Sequence, residues 1–210
     1  MTIRALFPTL VLKQPLETRG QSRLNQDLAD ECRSLAASDA TGRRWSADNY
    51  PGGYTSYGSL DRMHLVSSLF ARLRRLIDPQ VRSFARALHY DLRGRTLGMT
   101  DCWANVMPAG VMHSFHLHPI SFISGTYYVE VPKGAGALKF EDPRLALHMA
   151  APPRRADAPE AFRPFVSLPA RPGDLVLFES WLRHEVPPAR FSGERISISF
   201  NYGWTARVRR

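Results

Sequence analysis

The sequence predicts an α+β fold: helices come first, then a jelly roll or another double-sheet β architecture that the helices buttress. Two observations carry that expectation. Apolar residues recur at helical spacing up to about residue 95, and beyond it they alternate with polar ones. The second part also breaks into eight short β runs, at 98–107, 111–118, 122–131, 137–141, 164–168, 174–179, 184–186 and 195–202. Turn formers separate most of them, among them Pro108-Ala109-Gly110, Pro132-Lys133-Gly134, Pro172-Gly173 and Ser192-Gly193. With 210 residues the chain can bury one sizeable core. The expectation is a single domain over 1–210, with 1–95 supplying a strand, helices and a loop, and 96–205 the β core.

In chain order, the apolar start 1–12 is interrupted by Pro8 and followed by Lys13 and Glu17, which speaks for an edge strand and against a secretory leader. Residues 22–37 form an amphipathic helix with Leu24, Leu28, Cys32 and Leu35 on one face. Cys32 is then a small buried hydrophobe. Residues 39–60 are rich in Gly, Ser, Tyr and Asp and read as a long loop; loops of that length are uncommon without a task, so this one is a candidate lid. Ser59 is placed to cap a helix carrying Leu65, Leu69, Leu73 and Leu76. Asp78-Pro79 then opens a second helix with Val81, Phe84, Ala85 and Leu88 inward. The segment 150–163 reads as an exposed insertion. In the last β run Ile196, Ile198 and Phe200 share one face, and Arg195, Ser197, Ser199 and Asn201 share the other. That polar face suits a solvent side and an anion-binding wall in a barrel mouth equally well.

The formal charge of +9 invites a nucleic-acid reading. However, of the 28 basic residues only Lys13, Lys133 and Lys139 are lysines, and the arginines are scattered rather than clustered. Composition excludes a disordered chain, a disulfide scaffold and a collagen-like repeat. No run approaches the roughly 18 apolar residues of a membrane helix. Cys32 and Cys102 lie far apart and outside any CxxC pair, as in a reduced, cytoplasmic protein.

His116-Leu117-His118 ends a β run, and residues i and i+2 of a strand point to the same side, so both imidazoles reach one ion. His184, opening a later strand, supplies a third ligand. Three ligands on one face leave positions open for substrate and dioxygen. Taken alone, two neighbouring histidines are more often merely polar strand residues. His64, His89, His113 and His148 have no partner at ligand spacing, and the odd offset from His116 aims His113 at the opposite face.

The order of elements sharpens this. Gly173-Asp174 leads the apolar run Leu175–Phe178, His184 follows, and Arg195 comes eleven residues later with Ser197 two beyond it. Together with HLHPISFISGTYYVEVPKGAGALKFEDPR from His116 to Arg144, PGDLVLFESWLRHEVPP and RISISFN, this order resembles the 2-oxoglutarate/Fe(II)-dependent dioxygenase superfamily. It looks closest to a bacterial branch of small 2OG-Fe(II) oxygenases, and the likeness covers roughly the last half of the chain. The resemblance implies a double-stranded β-helix, with Fe(II) held by His116, His118 and His184. It also implies that Arg195 and Ser197 hold the far carboxylate of 2-oxoglutarate, which the planar guanidinium fork suits. Asn105 matches the first position of an Asn-x-Tyr pair used for the cosubstrate in some relatives, whereas Met107 replaces the tyrosine. His118 stands where the family has a carboxylate; its bulk leaves no halide position, which disfavours a halogenase. The implied reaction is hydroxylation of a small-molecule or peptide substrate, with succinate and CO2 as coproducts and ascorbate as an accessory reductant. Trp103, Phe115, Tyr128 and Trp181 are candidate pocket walls, and Asp142 and Arg144 a candidate rim. The competing reading of those residues is plain core and a turn salt bridge.

Two alternatives stay open at this point. Gly110 before His116-x-His118, and Pro172-Gly173-Asp174 before His184, also resemble a cupin, which implies a three-histidine dioxygenase with no cosubstrate. The cupin glutamate is absent, and a cupin has no use for an inward Arg195. A basic nucleic-acid-binding module rests on the net charge and on Arg207, Arg209 and Arg210, but no aromatic-basic sheet supports it.

Overall fold

A computed structural model describes residues 1–16 and 18–205; Glu17 and the terminal Arg207, Arg209 and Arg210 lie outside the described residues. Two antiparallel sheets carry the fold. The larger runs, edge to edge, β1 (Val11–Pro15), β8 (Asp174–Glu179), β5 (Ile123–Glu130), β10 (Glu194–Thr205), β3 (Thr96–Pro108) and β2 (Tyr54–Thr55). The smaller runs β4 (His113–His116), β9 (His184–Val186), β6 (Leu138–Glu141) and β7 (Phe165–Leu168). Each of the eight expected β runs contains a strand. The edge strand near the N-terminus is also present, although it begins only at Val11.

One face of the larger sheet packs on helices α1 (Gln21–Ser38) and α4 (Ser68–Ala87). Leu24, Leu28, Phe70 and Ile77 from the helices meet Ile196, Ile198 and Phe200 from β10 in one buried cluster. The other face meets the smaller sheet, where Val176 and Phe178 pack with Phe140 and Val186. Cys32 and Cys102 are free and buried on the helix side, and burial raises the Cys32 thiol pKa to about 12. No helix among the described residues is long and apolar enough to cross a membrane.

Four expectations for the half before residue 96 need correction. Residues 39–60 are not a structureless loop: they hold helix α2 (Ala40–Asn49), β2 and a 3-10 turn at Ser56–Gly58. Thr41, Gly42 and Asn49 are poor helix formers, so this helix depends on its contacts. The Asp39 side chain caps it at Gly42 N, and Ser46 Oγ exchanges hydrogen bonds with the backbone of Thr55. Ser59 is not a cap; its hydroxyl donates to Asp39, while Ser67 caps α4. Leu65, in the short helix α3 (Met63–Val66), is 63% exposed rather than inward. Finally, α4 runs straight through Pro79 instead of restarting at Asp78. Its buried stripe Leu73, Ile77, Val81 and Phe84 is continuous across the proline, and Asp78 accepts a hydrogen bond from the Tyr202 hydroxyl at 2.6 Å. Burying that stripe outweighs the one backbone bond that proline forfeits.

Candidate metal and anion site

Sheet register assembles a polar wall. Directly opposed antiparallel residues point to the same side, and Ser197 opposes Asn105 and Tyr128, Ser199 opposes Trp103 and Thr126, and Asn201 opposes Asp101 and Ser124. This side of β10 is interior rather than solvent-facing. Arg195, Ser197 and Asn201 are all buried.

The smaller sheet supplies imidazoles against that wall. His116 on β4 stands directly opposite His184 on β9. His118, just past the end of β4, is pinned by its amide donating to Ser180 O at 3.0 Å. Ring centroids lie 4.3 Å apart for His116–His184, 5.1 Å for His118–His184 and 5.3 Å for His116–His118. One ring nitrogen from each lies within 4.8 Å of the other two. Each Nδ1 faces a carbonyl oxygen: Ser114 O at 2.7 Å for His116, Asn201 Oδ1 at 2.6 Å for His118, and Leu182 O at 2.9 Å for His184. A proton on Nδ1 donates to each acceptor, which leaves the Nε2 lone pairs free to bind a metal. Burial holds all three pKa values below the usual histidine range, His118 at about 4 and His184 at about 2. The triad is therefore neutral at neutral pH, as metal ligation requires.

Beside the triad, an inner chamber shared with His116, His118 and His184 is closed off by Arg195, Ser197 and Met107. Arg195 is 3% exposed, lies over the Tyr128 ring at 5.0 Å and donates to Ser197 Oγ at 3.3 Å. Its Nε and the Tyr128 hydroxyl are buried without hydrogen-bond partners. None of the ion pairs among the described residues includes it. A buried, uncompensated cation costs several kcal/mol, so an anion in the chamber can pair with Arg195. Asn105 donates Nδ2 to Ser199 Oγ at 3.0 Å and leaves Oδ1 unmatched. That oxygen calls for a donor, so Asn105 meets a carboxylate only if its amide turns over.

His113 overturns the strand-parity expectation. The pairing of β4 shifts between His113 and His116, so both land on one side; their rings are 4.4 Å apart. His113 packs on Tyr50 at 5.0 Å and lines the inner chamber, with burial pushing its pKa down to about 3. Among the expected pocket walls, Trp103 lines both the inner chamber and a second, outer one. Tyr128 lies beneath Arg195 instead of on the chamber surface. Trp181 is 45% exposed and lines neither chamber, and Phe115 packs on Phe165 at 5.8 Å. Arg144 is an exposed partner of Asp142 at 2.9 Å, the turn salt bridge. The outer chamber, of about 300 Å³, shares Trp103, His113, His116 and His118 with the inner one and is walled by Trp45, Asn49 and Tyr57, all from the segment 39–60 singled out as a candidate lid.

The family described as "Putative 2OG-Fe(II) oxygenase" matches residues 101–201, the span that holds the triad and Arg195. No curated protein matches in sequence. Among solved structures, a Pseudomonas putida prolyl-4-hydroxylase is similar over 94% of this chain and 94% of its own, at 19% identity and a TM-score of 0.63. The α-ketoglutarate-dependent epimerase SnoN of nogalamycin biosynthesis is 18% identical over 92% of this chain and 76% of its own, with a TM-score of 0.64. HygX of Streptomyces hygroscopicus, solved with nickel, 2-oxoglutarate and hygromycin B, is 16% identical over 93% of this chain and 83% of its own, at a TM-score of 0.61. At such identities the likeness is one of fold.

Proposed function

We propose, taking as premise that this chain belongs to the 2-oxoglutarate/Fe(II)-dependent oxygenase superfamily, that it hydroxylates a small-molecule or peptide substrate with 2-oxoglutarate as cosubstrate. One observation carries the proposal: a neutral three-imidazole face and a buried, uncompensated Arg195 share one chamber. The donor chemistry suits both groups. His116, His118 and His184 would hold Fe(II), and the free donor of Arg195, with Ser197, matches a carboxylate. The fold likeness supports a double-stranded β-helix working with its helices as a single unit.

When bound, Fe(II) and 2-oxoglutarate supply dioxygen chemistry: 2-oxoglutarate, O2 and R–H become succinate, CO2 and R–OH, one oxygen atom entering succinate and one the product. The chain supplies placement. Arg195 and Ser197 hold the far carboxylate and so set the direction in which the cosubstrate lies. The Nδ1 contacts to Ser114, Asn201 and Leu182 keep the ligand rings aimed. Met107, Leu138 and Phe178 keep the chamber poor in water. With an imidazole at His118 the ligand set carries no charge, so a bound dication keeps its full charge and favours an anionic chelator.

A three-histidine dioxygenase without cosubstrate leaves Arg195 with nothing to bind, and a nucleic-acid module leaves the triad without a use. The neighbours' printed ligands and activities, hygromycin B and prolyl hydroxylation, keep both small molecules and peptides in view. A cytoplasmic location suits two cysteines that are free and buried. The test is 2-oxoglutarate turnover. Purified protein with Fe(II), ascorbate and O2 is expected to form succinate slowly without its own substrate, and His184→Ala and Arg195→Ala are expected to form none. Metal bound by the three histidines with a spectrum indifferent to 2-oxoglutarate overturns the reading.

A further inference from the structure

We propose that the outer chamber binds an uncharged, ring-bearing small molecule, an aromatic nucleus without carboxylate, phosphate or ammonium groups. As a statement about substrate this rests on the oxygenase reading; as a statement about binding it stands on the chamber alone. Trp45 from α2, Tyr57 from the 3-10 turn and Trp103 from β3 form a continuous aromatic run, with centroids 5.9 Å and 5.0 Å apart in edge-to-face geometry. The run ends at the triad, where Trp103 lies 5.7 Å from the His118 ring. A ring inserted here therefore lies beside the metal ligands. Trp45 is seated on Gly58, where an added Cβ would strike the indole, so this wall is placed by packing.

The rest of the lining gives the charge selection. Asn49, Thr55, Ser114 and Asn201 offer neutral hydrogen-bonding groups, and among the described residues no Asp, Glu, Lys or Arg lines the chamber. Arg195 faces only the inner chamber. In the metal-free chain an ionised ligand in the outer chamber thus loses water without gaining a counter-charge from the lining side chains, which disfavours it strongly. At about 300 Å³ the space suits a molecule of ring size. Its lining comes from α2, β2, the 3-10 turn, β3, β4 and β10.

A second observation falls at the same place. One residue beyond Pro119, which lines the chamber, Ile120 holds φ at 68° with its side chain fully exposed. Of the three non-glycine residues with positive φ among the described residues, it is the only β-branched one. That conformation is strained for isoleucine, and retained strain gathers where ligands are handled.

The experiment uses the full chain without added metal and three probes: indole, indole-3-carboxylate and tryptamine, followed by saturation-transfer NMR. Indole is expected to bind saturably and at least about tenfold tighter than either charged analogue. Tyr57→Ala, at a half-exposed position, is expected to weaken indole about two- to tenfold, and Trp45→Phe to keep most of the binding. Equal binding of the charged analogues, no effect of Tyr57→Ala, or preference for a blocked neutral peptide over indole overturns the proposal. The protein's thermal response to 2-oxoglutarate, measured alongside, separates the two readings. Indole binding without that response removes the oxygenase reading alone, and the response without indole selectivity removes this one alone.

Discussion

The two sides of the six-stranded sheet solve opposite physical problems. On the helix side Ile196, Ile198 and Phe200 are completely buried among apolar partners. On the other side Arg195, Ser197 and Asn201 are nearly as buried, yet Arg195 Nε, Asn105 Oδ1 and the Tyr128 hydroxyl have no hydrogen-bond partner. The same strand therefore gains stability through one face and gives some up through the other. The difference teaches that the polar side is not a failed core. A sheet anchored so firmly by helices can hold donors in place, unpaired, until a ligand arrives.

The strongest way to break that contrast is to exchange the signs of two substitutions on β10. Arg195→Met removes an uncompensated buried charge, so the ligand-free protein is expected to gain about 1–3 kcal/mol in denaturant unfolding. The same change removes charge-assisted hydrogen bonds worth about 1.5–3 kcal/mol each, so affinity for 2-oxoglutarate, read by calorimetry, is expected to fall at least about 100-fold. Ile198→Ala, one turn of the pleat away on the other face, is expected to cost about 2–5 kcal/mol of stability through its cavity. Its affinity for 2-oxoglutarate at low temperature should stay within a few-fold. If both substitutions destabilise alike, the two faces do not differ as described.

A smaller effect sharpens the role of the polar face as support for the triad. Asn201 Oδ1 accepts from His118 Nδ1 and, at 2.8 Å, from Ser124 Oγ. Asn201→Ala leaves His118 Nδ1 without its acceptor, and with it the preference for a free Nε2. Metal affinity is expected to fall about 10- to 100-fold, measured by competition with a chromophoric chelator, while Ser199→Ala leaves it unchanged.

Legibility from sequence follows the same division. Beyond residue 96, alternation and turn formers are local signals, and the strands and the paired faces of β10 follow from period two; His118, past the end of β4, and His184, on β9, are joined to His116 by the order of motifs. His113 escaped because parity holds only on a regular ladder, and β4 shifts its pairing between His113 and His116. The half before residue 96 hid more. Nothing local makes Thr41, Gly42 and Asn49 helical; α2 is held by Asp39, Ser46 and Thr55, partners supplied by the fold. The aromatic run of Trp45, Tyr57 and Trp103 was hidden for the same reason, since their meeting is tertiary. Pro79 misled because the local rule for proline is overridden by a buried stripe on both sides of it.

The smallest expected effect tests the saturated counterpart of Arg195. Asp39 is a charged group whose needs the fold meets: it accepts from Gly42 N at 2.9 Å, from the Tyr54 hydroxyl at 2.9 Å and from Ser59 Oγ. Burial opposes its ionisation, but these donors outweigh burial and hold its pKa below the usual aspartate value. A carboxyl group with a depressed native pKa contributes stability that is fully present above its unfolded value, near 3.8, and is lost as pH falls through the lower native value. Unfolding free energy of the wild type is therefore expected to drop below about pH 4, and Asp39→Asn to flatten that part of the profile. At pH 7 the variant should still lose about 1 kcal/mol through its weakened helix cap. Arg195→Met, which removes a permanent cation, is expected to leave the acid limb in place. An Asp39→Asn profile that falls as steeply as the wild type assigns the acid loss to other carboxylates and ends the contrast between the satisfied and the waiting charge.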